Sequence, residues 1–152
     1  MNMEEPKNAS VQRVREEHLA GIAALERACF AEPWSEQSLR LLLGQSAVGF
    51  VALEDGKPVA YAGMMTVLDE GQITNVAVDP ECRRRGYGRA VTEALLGYAA
   101  EQGIVTVTLE VRASNEAAIA LYQSLGFSEC GRRPHFYRLP TEDALLFTWT
   151  AT

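Results

Sequence analysis

This chain is poor in cysteine, free of long apolar runs and without a general excess of basic side chains, and each shortage closes off a class of protein. Cys29, Cys82 and Cys130 are its only thiols. Three cysteines so far apart make neither a disulfide framework nor the short paired spacing of a zinc site, so no metal is expected. The longest stretch without a charged side chain runs from Leu41 to Leu53, short of the about 18 apolar residues of a membrane span. The opening MNMEEPKNAS is acidic and polar, unlike a secretory signal. The chain is therefore read as cytoplasmic, with no membrane partner. No internal repeat, low-complexity tract or Pro/Ser-rich linker interrupts it.

What remains is a chain of 152 residues, 47% hydrophobic. That length buries about 68–70% of the surface exposed on unfolding, which supports a core without staples. Residues 10–152 are read as one domain, a monomer, and residues 1–9 as a loose tail. Charge is unevenly placed. There are 14 basic and 20 acidic side chains, for a net −6. All of that excess lies in the first 80 residues, with 6 basic and 12 acidic groups, against 8 of each thereafter. Four of the later arginines crowd into Arg83–Arg89. One tight basic cluster in an acidic protein suits a small anionic ligand and not a nucleic-acid surface, which spreads its cations along a face.

Periodicity supplies the elements. Ser10 to Arg15 is strand-like, and Leu19, Ile22, Leu25 and Cys29 form one helical stripe through Glu16 to Phe30, ended by Pro33. Ser35 is a good N-cap for a second short helix carrying Leu39, Leu42 and Leu43. Strands over 47–53 and 57–68 join through Asp55-Gly56, a strong hairpin signal. Asp69-Glu70-Gly71 is expected to turn into a strand over 72–78, stopped by Asp79-Pro80. Val91, Ala94, Leu95, Tyr98 and Ala99 mark a long helix over 88–102 with Gly103 as its C′ residue. A central strand over 104–111, a helix capped by Asn115 and ending at Gly126, and strands near 127–132 and 144–150 complete the chain. The order is β-α-α-β-β-β-α-β-α-β-β, an α/β fold with a mixed sheet.

Three places could carry chemistry. Arg83-Arg84-Arg85-Gly86-Tyr87-Gly88-Arg89 lies between a strand and a helix, where glycines allow close backbone approach and the helix start offers unpaired amides to an anion such as pyrophosphate. A solvated arginine turn fits the spacing equally well. Glu110 shares a strand face with Ile104, Thr106 and Thr108. Partial burial there would raise its pKa toward that of a useful base, although taken alone it reads more simply as a salt-bridged residue, for example with Arg112. Tyr122 is either core packing or a phenol able to give up a proton.

The run ITNVAVDPECRRRGYGRAVTEALL resembles the cofactor segment of the GCN5-related N-acetyltransferases, whose pattern is Q/R-x-x-G-x-G/A, with Arg83, Gly86 and Gly88 at its fixed positions. Within that superfamily LEVRASNEAAIALYQSLGF, EPWSEQSL and EDALLF are similar to the bacterial ribosomal-protein-alanine N-acetyltransferases. The resemblance implies acetyl-CoA as co-substrate. It implies that Val76, Ala77 and Val78 line it by backbone bonds, that the amides of Arg84, Arg85, Gly86, Tyr87, Gly88 and Arg89 hold its pyrophosphate, and that Asn115 binds near the pantetheine. Glu110 matches the proton acceptor and Tyr122 the proton donor. The implied partner is a protein with a free N-terminal alanine, a small-subunit ribosomal protein, with no direct nucleic-acid contact. Acetylation of lysine or a small amine, and a non-catalytic acyl-CoA-binding module, stand as alternatives. Cys82 is expected to be a passive thiol, His18 and His135 surface residues, and Trp34 packing near the substrate groove. Phe136 stands where relatives tend to carry tyrosine.

Overall fold

A computed structural model describes residues 9–151. The expected loose tail lies outside them except for Ala9, which opens the first strand. The elements are β1 (Ala9–Arg13), α1 (Leu19–Cys29), α2 (Glu36–Leu39), β2 (Ala47–Glu54), β3 (Lys57–Val67), β4 (Glu70–Val78), α3 (Tyr87–Glu101), β5 (Thr106–Arg112), α4 (Glu116–Ser124), β6 (Ser128–Tyr137) and β7 (Glu142–Thr150). Their order is the one read from periodicity. Ser35 caps α2 by accepting from the Ser38 amide at 3.1 Å. Asp55 and Gly56 both sit at positive φ, as a two-residue hairpin requires.

Several boundaries shift, and three of the shifts change how the residues are read. Glu70 and Gly71 belong to β4, and the turn before it is made by Leu68 and Asp69. Ile104 and Val105 precede β5: the Ile104 amide bonds back to Ala99 of α3 and the Val105 amide to Asp69. That turn reverses their sides, so Ile104 is buried and Val105 exposed. β6 runs on to Tyr137, taking in residues expected in a loop.

The seven strands form one sheet in the order β1-β2-β3-β4-β5-β7-β6. All pairs are antiparallel except β4 with β5. Along β3 the register passes from Gly63↔Asn75 to Met64↔Ile73, leaving Thr74 as an extra residue in β4. Its hydroxyl donates to the Gly63 carbonyl at 3.2 Å. Such a bulge bends its strand and increases the local twist. The β4–β5 ladder ends at Gln72↔Thr108, just before that bulge. Beyond it β4 follows β3 to Val78, while β5 follows β7 to Arg112. The sheet therefore splits, and a gap opens between the C-terminal ends of its two parallel strands.

Two cores flank the sheet. On one face α3 and α4 pack Val91, Leu95 and Tyr122 against Val107, Leu109, Val111 and Phe147. On the other, α1 and α2 pack Leu19, Ile22 and Leu39 against Val51, Tyr61 and Ala77. Among the described residues no helix is long and apolar enough to cross a membrane.

Candidate active site

Both helices of the first face start where the parallel strands end, α3 after β4 and α4 after β5, so their positive ends converge on the gap. Gly88 marks the meeting point: a Cβ there would touch Val78 of β4 and Leu121 of α4, each at 3.5 Å. Arg89 ties the two helices by donating to the Ser124 hydroxyl at 2.5 Å. In the connecting loop Arg84 (φ 67°) and Gly86 (φ 85°) adopt the left-handed conformation. Alternation of hand turns successive amides toward a common concavity, a form that holds anions. The Ala90 amide makes the first helical bond, to Gly86, so the amides of Tyr87, Gly88 and Arg89 have no partner within the helix.

Most of the arginine side chains are tied to the fold. Arg83 donates to the Val78 carbonyl at 3.4 Å and reaches the Cys29 sulfur. Arg85 pairs with Glu54 at 3.3 Å. Tyr87 donates to the same Glu54 at 2.5 Å, which with burial pushes its phenol up to about 12. The side chains thus hold the backbone of this loop in place. Asn115 caps α4 by accepting from the Ala118 amide at 3.1 Å, which fixes its carboxamide at the start of that helix.

Glu110 and Tyr122 lie on opposite faces of the sheet. Val107, Leu109 and Val111 point into the α3/α4 core, so strand alternation sends Thr108 and Glu110 to the other side. There Glu110 is half-buried in a concavity of about 170 Å³ whose rim includes Gln72, Cys130, Arg133 and Leu146. Its partner is Arg133, at 3.0 Å, and not Arg112. Arg112 is held elsewhere: it donates to the carbonyls of Pro140 and Arg138, each at 2.9 Å, and pairs with Glu142. Tyr122 is buried edge-on to Phe127. Burial first, and then Tyr137, hold its phenol well above the usual range, so it is protonated at neutral pH.

Tyr137 joins these two groups, and sequence reasoning missed it by fixing on Phe136. The Arg112 guanidinium stacks on its ring at 4.5 Å. Burial, followed by the Glu110 charge, pushes its phenol up to about 12. Phe136 next to it is exposed. The signal was present as a tyrosine one residue along, but only pairing with β7 shows which of the two turns inward.

Glu26 was also missed. An acid in an amphipathic helix ordinarily marks the solvent face, yet Glu26 is fully buried. Tyr61 and Asn75 donate to its Oε2, the latter at 2.7 Å, and the Trp34 amide donates to its Oε1 at 2.8 Å. His18 corrects an expectation too. It is buried, and its Nδ1 accepts from the Arg15 amide at 2.9 Å. Cys82 is buried, and burial followed by Asp79 and Glu54 raises its thiol despite the nearby arginines. That is an unreactive setting. Among the described residues no group of three or more His, Cys, Asp or Glu is arranged to hold a metal.

Residues 19–127 match the acetyltransferase (GNAT) family, and the chain belongs to it: the split between two parallel strands, with an amide-lined loop opening α3, is an acetyltransferase framework. Among its relatives is the [ribosomal protein bS18]-alanine N-acetyltransferase of Escherichia coli K12, 44% identical over 119 residues that span 78% of this chain and 79% of that protein. The protein of the same name from Haemophilus ducreyi is 32% identical over 130 residues, 86% of this chain and 90% of that one. The crystal structure of the ribosomal-protein-S18-alanine N-acetyltransferase from Escherichia coli superposes with a TM-score of 0.87 at 38% identity, covering 93% of both chains.

Proposed function

We propose that this acetyltransferase moves an acetyl group from acetyl-CoA to the α-amine of an N-terminal alanine, and that its substrate is ribosomal protein bS18 of the small subunit, as the names of its relatives suggest. The observation that carries the reading is the gap itself, with a half-buried carboxylate on one face of β5 and a buried phenol on the other.

The residues suit the co-substrate. The loop from Arg84 to Arg89 offers backbone amides and a helix start to a pyrophosphate. Past Gln72 the β5-facing edge of β4, through Val76, Ala77 and Val78, is free of the parallel ladder, and such an edge hydrogen-bonds amide groups like those of a pantetheine arm. The donor half of Asn115, which takes no part in the cap, is suited to the same arm. When bound, acetyl-CoA supplies an acetyl carbon activated by a good thiolate leaving group.

The chain's own groups then have separate duties. Glu110 receives the proton lost by the amine as the amine bonds to the acetyl carbon, directly or through a water in the concavity beside it. A β4 amide near Val78 stabilises the charge that builds on the acetyl oxygen. Tyr122, held protonated by burial, gives its proton to the sulfur as the carbon–sulfur bond breaks. An α-amine has a reference pKa of about 7.7–8.0 against about 10.4 for lysine, so a modest base suffices for the N-terminal substrate.

Mass spectrometry of two peptides after incubation with acetyl-CoA tests the proposal. One begins with a free alanine; the other is blocked at its N-terminus and offers only an internal lysine. Acetyl on the free alanine alone is expected. Acetyl on lysine alone, or on neither while CoA still binds, overturns the substrate assignment and leaves the family intact.

A further inference from the structure

The Glu26 cluster lies outside the catalytic pair, yet it joins the parts that form one side of the gap. Glu26 sits in α1, Tyr61 in β3, Asn75 in β4 directly after the bulged Thr74, and Trp34 in the segment between α1 and α2. Tyr61 and Asn75 hold one carboxyl oxygen, and the other takes the Trp34 amide. Trp34 packs on the same core as Ala77 of β4. From this segment Glu32 forms an ion pair with Arg138 in the turn between β6 and β7. The segment over residues 30–35 therefore forms a bank that meets the β6–β7 turn, on the face of the sheet opposite α3 and α4, toward which Glu110 points.

We propose that Glu26 is the positioning residue that sets this amine-side bank against β4, and so fixes where a peptide N-terminus lies relative to the acetyl group and Glu110. The inference rests on reading the β4–β5 gap as the acyl-transfer site. The path is short: an Asn75 amide on the strand that lines the acetyl group, one carboxyl group, one backbone amide of the bank. Every donor in it is buried or half-buried, so losing the acceptor leaves three polar groups to find new partners and frees the bank from the strand. The loop that would hold the pyrophosphate starts beyond Val78 and shares none of these bonds.

Three variants and two readouts test it. In Glu26→Leu the peptide KM is expected to rise by about tenfold or more and kcat to fall, since small displacements of a positioned reactant cost large factors in rate, while the CoA dissociation constant stays within about twofold. Glu26→Gln is expected to rescue most of this. Its carboxamide oxygen can accept from the Trp34 amide, and its NH2 can face a rotated Tyr61 hydroxyl and a flipped Asn75. Tyr61→Phe, which removes one anchor and keeps the other, gives an intermediate peptide KM even where Glu26→Leu folds poorly. Hydrogen exchange at the Trp34 amide is protected in the wild type and in Glu26→Gln, and loses protection in Glu26→Leu. Unchanged peptide KM in folded Glu26→Leu and Tyr61→Phe, or matching losses of peptide and CoA affinity, overturns the positioning role alone. A wild-type chain that binds CoA but acetylates no N-terminal amine overturns the site reading, and this proposal with it.

Discussion

The two halves of the sheet are built differently. The central residues of β2 and β3 are buried on both faces, because α1 and α2 cover one face and α3 the other. Along β6 almost every residue is exposed, and Thr108 of β5 is open on the Glu110 side. The first half is packed with apolar side chains on both faces, whereas the second packs one face on the α3/α4 core and adds ionic ties such as Arg112–Glu142, Arg132–Asp143 and Arg133–Glu110. The gap falls on the seam between them. This division suits the proposed arrangement, with the cofactor at the packed half and the helix starts and the peptide over the open half.

The sharpest way to break this division is Glu110→Gln, which keeps size and hydrogen bonding but removes the base from the open face. We expect kcat to fall by about 10²–10⁴-fold, the range for a positioned acid or base, with the CoA dissociation constant nearly unchanged. Equal loss of both would put Glu110 in the cofactor site and not on the amine side. Tyr122→Phe probes the packed face, where the lost hydroxyl should lower kcat by about a hundredfold with the core intact. Unchanged turnover in steady-state assays would remove the proton-donor role.

A smaller effect is expected at the loop. Gly86 sits at φ 85° with open space where a Cβ would go, so Gly86→Ala meets only backbone strain, about 1 kcal/mol in a urea titration. The strain falls on the amide concavity, so the CoA dissociation constant should rise a few-fold while the peptide KM holds. If CoA affinity is unmoved, that concavity is not the cofactor cradle.

How much of this was legible in the sequence follows the same division. Local signals were read correctly: the Asp55-Gly56 hairpin, the caps at Ser35 and Asn115, the glycine loop before α3 and the alternation of Val107, Leu109 and Val111. The split was not legible, because it depends on an extra residue at Thr74 that appears only once β4 is paired to β3. Glu26 was hidden for a similar reason. Its three donors come from segments 8, 35 and 49 residues away, so nothing near it in sequence marks it as buried. Arg112, two residues along the strand, is the example nearness offers as a salt-bridge partner for Glu110, whereas cross-sheet placement brings Arg133.

The smallest expected effect concerns acid. Glu142 is held below the usual carboxylate range, chiefly by the Ser114 side chain, with the Ser114 amide, which donates to it at 2.6 Å, and Arg112 adding to the effect. Asp143 is held below it by the His135 amide at 2.9 Å and by Arg132 at 2.7 Å. Carboxyls depressed in the folded state contribute stability that is complete above their unfolded values, at about pH 4, and lost as pH falls through the lower folded values. The open half should therefore loosen below about pH 4 while the apolar centres of β2 and β3, which do not titrate, keep their order. Hydrogen-exchange protection at Ser114 and His135 is expected to drop between neutral pH and pH 3 ahead of that at Val51 and Ala62. A uniform loss across all four amides would mean that the two halves unfold as one unit, and that the seam at the gap is a boundary of covering only and not of stability.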